Sequence, residues 1–297
     1  MFPQFFFQRI NFFLRNVKHR LMLIYWLLKR PSTDLDLAGQ SFLSLSARWH
    51  GEKLPIFTYF YMINYLNKSN FTGSLLEFGG GFSTILFNLY LHPSVRITSI
   101  DYNPQKYYRI LNSRFAVNTF LSRISSYKCI SVSSDQAQAG LNQLISKILE
   151  FPLSTIKPVI SRFVDIHSID IILSLISSGE LFDYIYSDPR LQEDLSFLSN
   201  VKDTLVLSSV FSSYPKYNAP SFDCLFLDCG EFSSPSEFLL FSPYLVDGGI
   251  ILLHDIFYPK SIKNFLVAIY VSLSSEWEVL SVESSTPQGG LIARKLS

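Results

Sequence analysis

Three consecutive glycines, Gly79 to Gly81, form the part of the sequence with the clearest chemical meaning. An apolar run at 75–78 predicts a strand before them, and Ser83 stands where a helix should begin. Glycine lets the backbone turn sharply and lets a ligand approach it closely. The first N–H groups of a helix are free to donate hydrogen bonds. The pattern predicts a ligand site at the end of a strand.

An acidic residue indicates which class of ligand this site could bind. Asp101 ends the next predicted strand, at 96–100, and lies 22 residues after Gly79, the distance at which an acid can accept hydrogen bonds from ribose hydroxyls. A dinucleotide fingerprint needs a third glycine, which lets a pyrophosphate sit on the helix, but Thr84 occupies that position. The sequence therefore favours a nucleoside ligand without phosphates over NAD.

Further polar residues follow two later apolar runs. Asp228 comes after a predicted strand at 224–227, and His254 and Asp255 come after one at 250–253. Ligands of open α/β sheets bind at the carboxyl ends of the strands. A histidine with an ordinary pKa near 6.5 suits general base catalysis, and the two carboxylates could bind Mg²⁺. The alternative is that His254 is only hydrogen-bonded at a strand end.

The arrangement of apolar runs predicts an α/β fold. Runs of strand length alternate with helical segments from residue 74 onward, which indicates a parallel sheet with crossover helices. A helix is predicted at 56–66, a third strand at 127–132, and a terminal antiparallel pair at 277–282 and 291–294.

One long segment, 134–221, exceeds what a single crossover needs and is interpreted as an inserted subdomain. Helices are predicted there at 136–149 and 169–177. Residues 182–188 resemble 222–228, so either could be the fourth strand, and we assign it to 222–228 because a helix and the fifth strand follow at the right distance.

Composition excludes several classes of protein. Of 297 residues, 48% are hydrophobic and 16% charged, which predicts a large core and argues against disorder. A net charge of +1 argues against a nucleic-acid partner. The three cysteines lack zinc or redox spacing, which favours a reducing compartment and a cytoplasmic protein.

The N-terminus is basic and apolar. Residues 1–30 hold six basic side chains and no acid, and their apolar run at 21–28 is too short for a spanning helix of about 20 residues. Two alternatives stay open: this segment packs on protein through an apolar stripe, or it makes peripheral contact with a membrane. We predict an N-terminal helical segment at 1–50 and a second domain at 51–297.

Several motifs together resemble one family, the class I methyltransferases that depend on S-adenosylmethionine (SAM). Residues 77–84 resemble its first motif, in the variant with an acid, Gly-x-Gly and then Ser-Thr, and 98–104 resemble the second. Residues 222–228 resemble the fourth strand, 245–255 the fifth strand after its Gly-Gly turn, and 277–294 the last two strands.

The resemblance implies a Rossmann-like sheet of seven strands, mostly parallel with an antiparallel last strand, after an N-terminal helical segment and with a large insertion before strand four. The implied activity is methyl transfer from SAM to the oxygen of a small-molecule, sugar or lipid-linked acceptor. Two alternatives are a non-catalytic scaffold and an NAD(P)-dependent oxidoreductase. The sequence leaves the acceptor and the oligomeric state open.

The resemblance also implies roles for residues. Glu77 would order the methionine end of SAM, Asp101 would hold the ribose, and Ser134 and Asp135 would contact adenine. The complete implied cofactor set is Glu77, Gly79, Gly80, Gly81, Ser83, Asp101, Ser134, Asp135 and Asp228, and the catalytic set is His254, Asp228 and Asp255. Some members of the family bind a divalent metal through an Asp-Asn pair here. Because Ile256 follows Asp255, Mg²⁺ is only a minor alternative.

Overall fold

The computed structural model of the chain describes residues 56–101, 124–200, 205–206 and 222–297. Predictions for the N-terminal segment 1–50 and for parts of 134–221 lie outside these ranges. Within them no helix has both the length and the apolar character that a membrane crossing demands.

The described elements alternate between strands and helices. In chain order they are α1 (Ile56–Lys68), β1 (Ser74–Phe78), α2 (Phe82–Tyr90), β2 (Arg96–Asp101), β3 (Ile124–Ser131), α3 (Ser134–Leu149), α4 (Leu153–Phe163), α5 (Ile169–Ser178), α6 (Leu181–Tyr186), α7 (Pro189–Asn200), β4 (Leu205–Val206), β5 (Phe222–Leu227), α8 (Ser234–Phe241), β6 (Leu245–His254), α9 (Phe265–Leu273), β7 (Trp277–Glu283) and β8 (Gly290–Lys295).

The strands form one mixed sheet in the order β4-β3-β2-β1-β5-β6-β8-β7. All described neighbours are parallel except β8, which is antiparallel to β6 and to β7, so the predicted terminal antiparallel pair is confirmed. Seven strands were predicted, and the eighth is the two-residue strand β4 beside β3. The chain order reverses between β1 and β5, and a switch point of this kind opens a crevice at the carboxyl ends of the strands.

Alternate residues of the strands pack on opposite faces, as the two-residue period of a strand requires. On one face Phe226 of β5 packs against Tyr59 of α1 and Phe87 of α2. On the other face Phe78 of β1 contacts Phe241 of α8 at 4.5 Å between ring centroids. Because helices cover both faces, β1 and β5 are apolar along most of their length and almost entirely buried.

The predicted segments agree with the structure in type more closely than in their ends. The resemblance between 182–188 and 222–228 does not reflect two strands, since the first lies in helix α6 and the second in β5. Strand β6 begins at Leu245, so the Gly-Gly pair lies inside the strand, not in a turn before it. Gly248 has φ 77°, and a register shift against β5 accommodates the extra residues.

Gly79, directly after β1, lies very close to the backbone that follows β5. Its φ is 90°, and a Cβ atom added there would lie 1.9 Å from the backbone oxygen of Asp228. The Asp228 N–H donates to the carbonyl of Phe78 at 2.9 Å, which holds the two strand ends together. No side chain fits at this position without moving one strand.

Replacing Gly79 by alanine should therefore destabilise the protein by about 3 kcal/mol or more, because the methyl group collides with backbone. Gly179 is the matched control, since its φ is also positive (78°) but nothing lies within 4 Å of an added Cβ. Gly179→Ala should cost only about 1 kcal/mol of backbone strain. Urea unfolding measures both, and equal losses would contradict the close approach.

Candidate active site

The strand registers place four candidate residues in one row. Phe78, at the end of β1, pairs with Ile100 of β2 and with Leu227 of β5. Leu227 pairs in turn with Leu253 of β6. The residues that follow these four lie side by side at the carboxyl edge, in the order Asp101, Gly79, Asp228 and His254. With strands about 4.8 Å apart, Asp101 and Asp228 flank the glycine turn about 10 Å from each other.

Backbone hydrogen bonds fix the glycine turn. The N–H groups of Gly79 and Gly80 donate to the carbonyl of Ile100 at 2.9 and 3.3 Å. Gly81 is the N-cap of α2, and its N–H donates to Thr84 Oγ1 at 2.9 Å. Two of the three glycines are thus tied to β2 and the third to the helix, so the turn has one defined shape.

Glu77 lies behind this turn and is fully buried. Its two carboxylate oxygens accept hydrogen bonds from Ser83 Oγ at 2.5 Å and Thr84 Oγ1 at 2.6 Å. Burial raises the pKa of Glu77 to about 7, although these hydrogen bonds oppose the rise. The hydrogen bond between Glu77 and Ser83 gives each side chain a partner and links β1 to the start of α2 behind the turn. Their direct contact with a cofactor stays a prediction.

Asp228, His254 and Asp255 meet at the neighbouring strand ends. His254 Nδ1 lies 3.0 Å from Asp228 Oδ1 and 3.3 Å from Asp255 Oδ1. The His254 side chain is only 2% exposed, and the carboxylates are 10% and 13% exposed. Asp255 has φ 60°, a left-handed conformation that aspartate tolerates better than most residues. The three residues predicted as catalytic are therefore brought together.

A lysine that the sequence interpretation missed completes this cluster. Lys263 Nζ donates to Asp228 Oδ1 at 3.0 Å and to Asp255 Oδ2 at 2.8 Å. Its side chain is 14% exposed. The ammonium therefore bridges the two carboxylates and shares Asp228 Oδ1 with His254 Nδ1.

Two more residues hold the cluster in position. Asn264 Nδ2 donates to the carbonyls of Leu227 and His254, at 3.0 and 2.6 Å, and so ties together the ends of β5 and β6. Tyr59 donates its hydroxyl proton to Asp228 Oδ2 at 2.5 Å. The Tyr59 ring also packs against the His254 ring, with centroids 4.9 Å apart.

Burial and charge act against each other on these groups. Burial disfavours ionisation of Asp228 and Asp255, but Lys263 and His254 outweigh it and lower the pKa of both carboxyls. Burial also disfavours the charged imidazole of His254, yet the two carboxylates raise its pKa to about 9. Lys263 likewise has a raised pKa because Asp228 and Asp255 overcome its burial. At neutral pH the cluster holds two negative and two positive charges.

The second ring nitrogen of His254 has a different environment. Nε2 is buried and has no hydrogen-bond partner among the described residues. A buried donor or acceptor without a partner costs about 1–3 kcal/mol. An imidazole oriented through Nδ1 by carboxylates, with Nε2 free, can exchange a proton at Nε2.

The remaining predicted residues lie at the same edge. Asp101 is 2% exposed and pairs in register with Cys129 of β3. Ser134 and Asp135 begin α3 soon after the end of β3, and Ser134 is half-buried while Asp135 is exposed. Their predicted adenine contact stays a prediction.

A buried acid also lies beside this edge. Glu237 of α8 is 4% exposed and accepts a hydrogen bond from the thiol of Cys229, which follows Asp228. Burial raises the pKa of Glu237 to about 8, with smaller contributions from Asp194 and Asp101, while the bond from Cys229 opposes the rise. Glu237 is therefore largely protonated at neutral pH.

The sequence held a signal for one of the missed residues. Lys263 and Asn264 directly precede the apolar run of α9, and a cation is disfavoured at the N-terminus of a helix. A lysine there needs acidic partners, and Asp228 and Asp255 were already candidates. Nothing in the sequence indicates that Tyr59 would contact Asp228, since 169 positions separate the two.

Comparison with known proteins gives distant similarities only. No family model matches the chain, and no curated protein matches it. Among solved structures, the O-methyltransferase TomG from Streptomyces achromogenes, in complex with SAM, is 12% identical over 92% of this chain and 95% of its own, with TM-score 0.44.

Two further solved structures lie at a similar distance. The O-methyltransferase from Bacillus cereus in complex with SAH is 14% identical over 92% of this chain and 96% of its own, with TM-score 0.40. A methyltransferase from Geobacter sulfurreducens is 11% identical over 94% and 96%, with TM-score 0.41. Likeness at this level carries neither the fold nor the activity of these proteins over to this chain.

The protonated state of Glu237 makes stability depend on pH. Because the folded pKa of about 8 exceeds the ordinary value of 4.5, the stabilising contribution is full below about pH 4.5 and is lost as the pH rises to about 8. Glu237→Gln, which stays neutral, should abolish this part of the loss, on the order of a few kcal/mol. Urea unfolding from pH 5 to 8.5 measures it, with exposed Glu150→Gln as control. A decline of wild-type size in Glu237→Gln would refute the assignment.

Proposed function

We propose that the protein is a SAM-dependent methyltransferase that acts on the oxygen of an acceptor. The observation that carries the proposal is the row Asp101, Gly79, Asp228 and His254 at the carboxyl edge of the sheet, on either side of the switch point between β1 and β5. In open α/β sheets this crevice is where ligands bind. An acid, a glycine turn and a carboxylate–histidine pair are adjacent there.

The cofactor occupies the half of the row between Asp101 and Asp228 in this proposal. The Asp101 carboxylate accepts hydrogen bonds from the ribose hydroxyls, and the glycine turn lets the ligand pass close to the backbone. Thr84 fills the place of the third fingerprint glycine and is fully buried, with its hydroxyl bonded to Glu77. The start of α2 is therefore better suited to a ligand without a pyrophosphate.

The reaction is an in-line displacement at the methyl carbon of the sulfonium. When bound, SAM would supply an electrophilic methyl group for the bond to the acceptor oxygen, and its sulfur would leave with the electron pair of the broken carbon–sulfur bond as a neutral thioether. The acceptor proton moves to His254 Nε2, which is buried and lacks a described partner. Asp228 and Asp255 hold the ring through Nδ1 and stabilise the imidazolium that results. Positioning supplies much of the acceleration.

The raised pKa of His254 fits this role better when the cofactor is bound. In the ligand-free protein the ring is protonated at neutral pH, since its pKa is about 9, and a protonated ring cannot accept a proton. A sulfonium bound at the same edge places a like charge nearby and lowers this pKa. Binding of SAM thus increases the fraction of neutral imidazole that can accept the proton.

In this proposal the acceptor binds beside the helices that precede β5. These helices belong to the proposed inserted subdomain at 134–221. A cavity of about 200 Å³ lies there and is lined by residues of α6, α7 and the segment after β6. Tyr184 and Tyr258 line it, with their hydroxyls 2.8 Å apart, and Ile262 adjoins Lys263. This volume suits a small molecule or the terminal group of a sugar or lipid-linked acceptor.

The proposal includes a separate N-terminal unit at 1–50 that precedes the catalytic unit 51–297, with packing on protein and contact with a membrane as its two alternatives. Sedimentation of the full chain with anionic vesicles distinguishes them. Buried free Cys224 and Cys229 and the lack of zinc or redox spacing support a reducing, cytoplasmic setting.

Ligand binding tests the cofactor directly. SAM and S-adenosylhomocysteine should each raise the thermal midpoint of the full chain, because a ligand that binds only the folded state stabilises it by about 2.7 kcal/mol at one hundred times its Kd. NAD⁺ should leave the midpoint unchanged. Stabilisation by NAD⁺ alone, or by none of the three, would refute the proposed function.

A pair of variants sharpens this test. Asp101→Asn removes the charged ribose acceptor and should weaken SAM binding about tenfold or more. Asp170→Asn, at an exposed position of helix α5, is the control and should bind as wild type does. Calorimetric titration measures both.

The effect of the sulfonium on His254 gives an independent prediction. NMR titration should place the His254 pKa near 9 without ligand and about one unit lower with SAM, because the sulfonium is a nearby positive charge. S-Adenosylhomocysteine carries a neutral sulfur and should leave the pKa nearly unchanged. Exposed His92 serves as the control resonance. Equal effects of the two ligands would show that sulfur lies far from His254.

A further inference from the structure

The cluster of Asp228, His254 and Asp255 has the composition of a metal site. One potential ligand atom from each residue lies within 4.8 Å of the others. Carboxylate oxygens are the preferred ligands of Mg²⁺ and Mn²⁺, and an imidazole nitrogen suits Mn²⁺ as well. By residue type alone, these three side chains could bind a divalent cation, although Ile256 stands where the metal-dependent methyltransferases have an Asn.

The contacts of Lys263 oppose that assignment. Its ammonium donates to one oxygen of each carboxylate, at 3.0 Å to Asp228 and 2.8 Å to Asp255. His254 Nδ1 takes the same Asp228 oxygen. One oxygen of each carboxylate is therefore used by a positively charged group of the chain. A divalent ion bound to them would lie only a few ångströms from the ammonium.

The remaining contacts leave a divalent ion a single carboxylate oxygen, Asp255 Oδ1, which has no hydrogen-bond partner among the described residues. Tyr59 donates to the second oxygen of Asp228, so both oxygens of that carboxylate are used. Asn264, the next residue after Lys263, is bonded to the two carbonyls that precede Asp228 and Asp255. The lysine is thus anchored beside the strand ends and is 14% exposed, unlike a surface lysine that could move aside.

We propose that the ammonium of Lys263 takes the place of a divalent cation between Asp228 and Asp255, so that this site binds no metal. Lys263 is a positioning residue that acts through the two carboxylates on the His254 ring. Its role in methyl transfer rests on the proposed function, whereas the exclusion of metal rests on the described contacts alone.

Removing the ammonium should therefore create a metal site. Lys263→Met keeps a chain of similar length without charge and leaves the carboxylates unpaired. Titration of the full chain with Mn²⁺, followed by calorimetry and by the EPR signal of free Mn²⁺, should show one site in this variant, with at least about tenfold tighter binding than wild type. Lys263→Arg should resemble wild type. Lys260→Met, which changes an exposed lysine three residues away, is the matched control and should not gain the site.

Two results would overturn the proposal. One is a wild-type protein that binds Mn²⁺ at one site which Asp255→Asn abolishes. The other is a Lys263→Met protein that binds Mn²⁺ no more tightly than wild type.

If Lys263→Met does not fold by itself, the variant is refolded with and without Mn²⁺. The proposal requires that Mn²⁺ restore the fold, and it is refuted if Mn²⁺ does not. Titration of the wild-type protein with Mn²⁺ tests the proposal whether or not the variant folds. These measurements contain no SAM, so their failure is distinct from failure of the ligand-binding test.

Discussion

The close approach of Gly79 to the backbone of Asp228 is the constraint from which the site follows. It brings the ends of β1 and β5 together where the order of the sheet reverses. Because the strands are in fixed register, the same contact sets the level of Asp101 on one side and of His254 on the other. The polar groups then lie in a row at one edge, while the apolar parts of the same strands stay in the core.

Charge balance decides how such a group of buried polar residues can exist. Two carboxylates at adjacent strand ends would repel each other and would lose hydration on burial. The chain offsets this with two cations, His254 and Lys263, and with the hydroxyl of Tyr59. The arrangement keeps both acids ionised and makes the imidazole strongly basic. A positively charged cofactor is compatible with this edge because the cluster has no excess positive charge.

Much of the sheet could be predicted from the sequence, and the reason is burial. A strand covered on both faces is mostly apolar, so β1 and β5 were located to within two residues of their ends. Strand β2 has fewer apolar residues, yet it was located to within one residue. Strand β6 was started too late because Gly248 and Gly249 resemble a turn, while the register shift beside them allows the strand to continue. The two-residue strand β4 carries too little pattern to be identified.

The site was predictable in part, for a different reason. The sequence shows which glycines and acids directly follow each strand, and these are the residues that form the row at the edge of the sheet. Lys263 and Tyr59 reach Asp228 across 35 and 169 positions, and contacts of that kind depend on how α1 and α9 pack. The local sequence pattern predicts neither contact with Asp228. The charge state of the cluster, and with it the protonation of His254, therefore required the structure.

The hydrogen bonds of Asn264 restrict the length of the chain segment after β6. Asn264 donates its backbone N–H to the carbonyl of Asp255 at 3.2 Å, which closes the segment between them into a loop with both ends fixed. Lys263 is the last residue inside that loop. One residue more or less would move the ammonium by up to about 3.5 Å, beyond hydrogen-bond reach of the carboxylates. The number of residues from Asp255 to Asn264 is thus as much a requirement of the site as the side chains themselves.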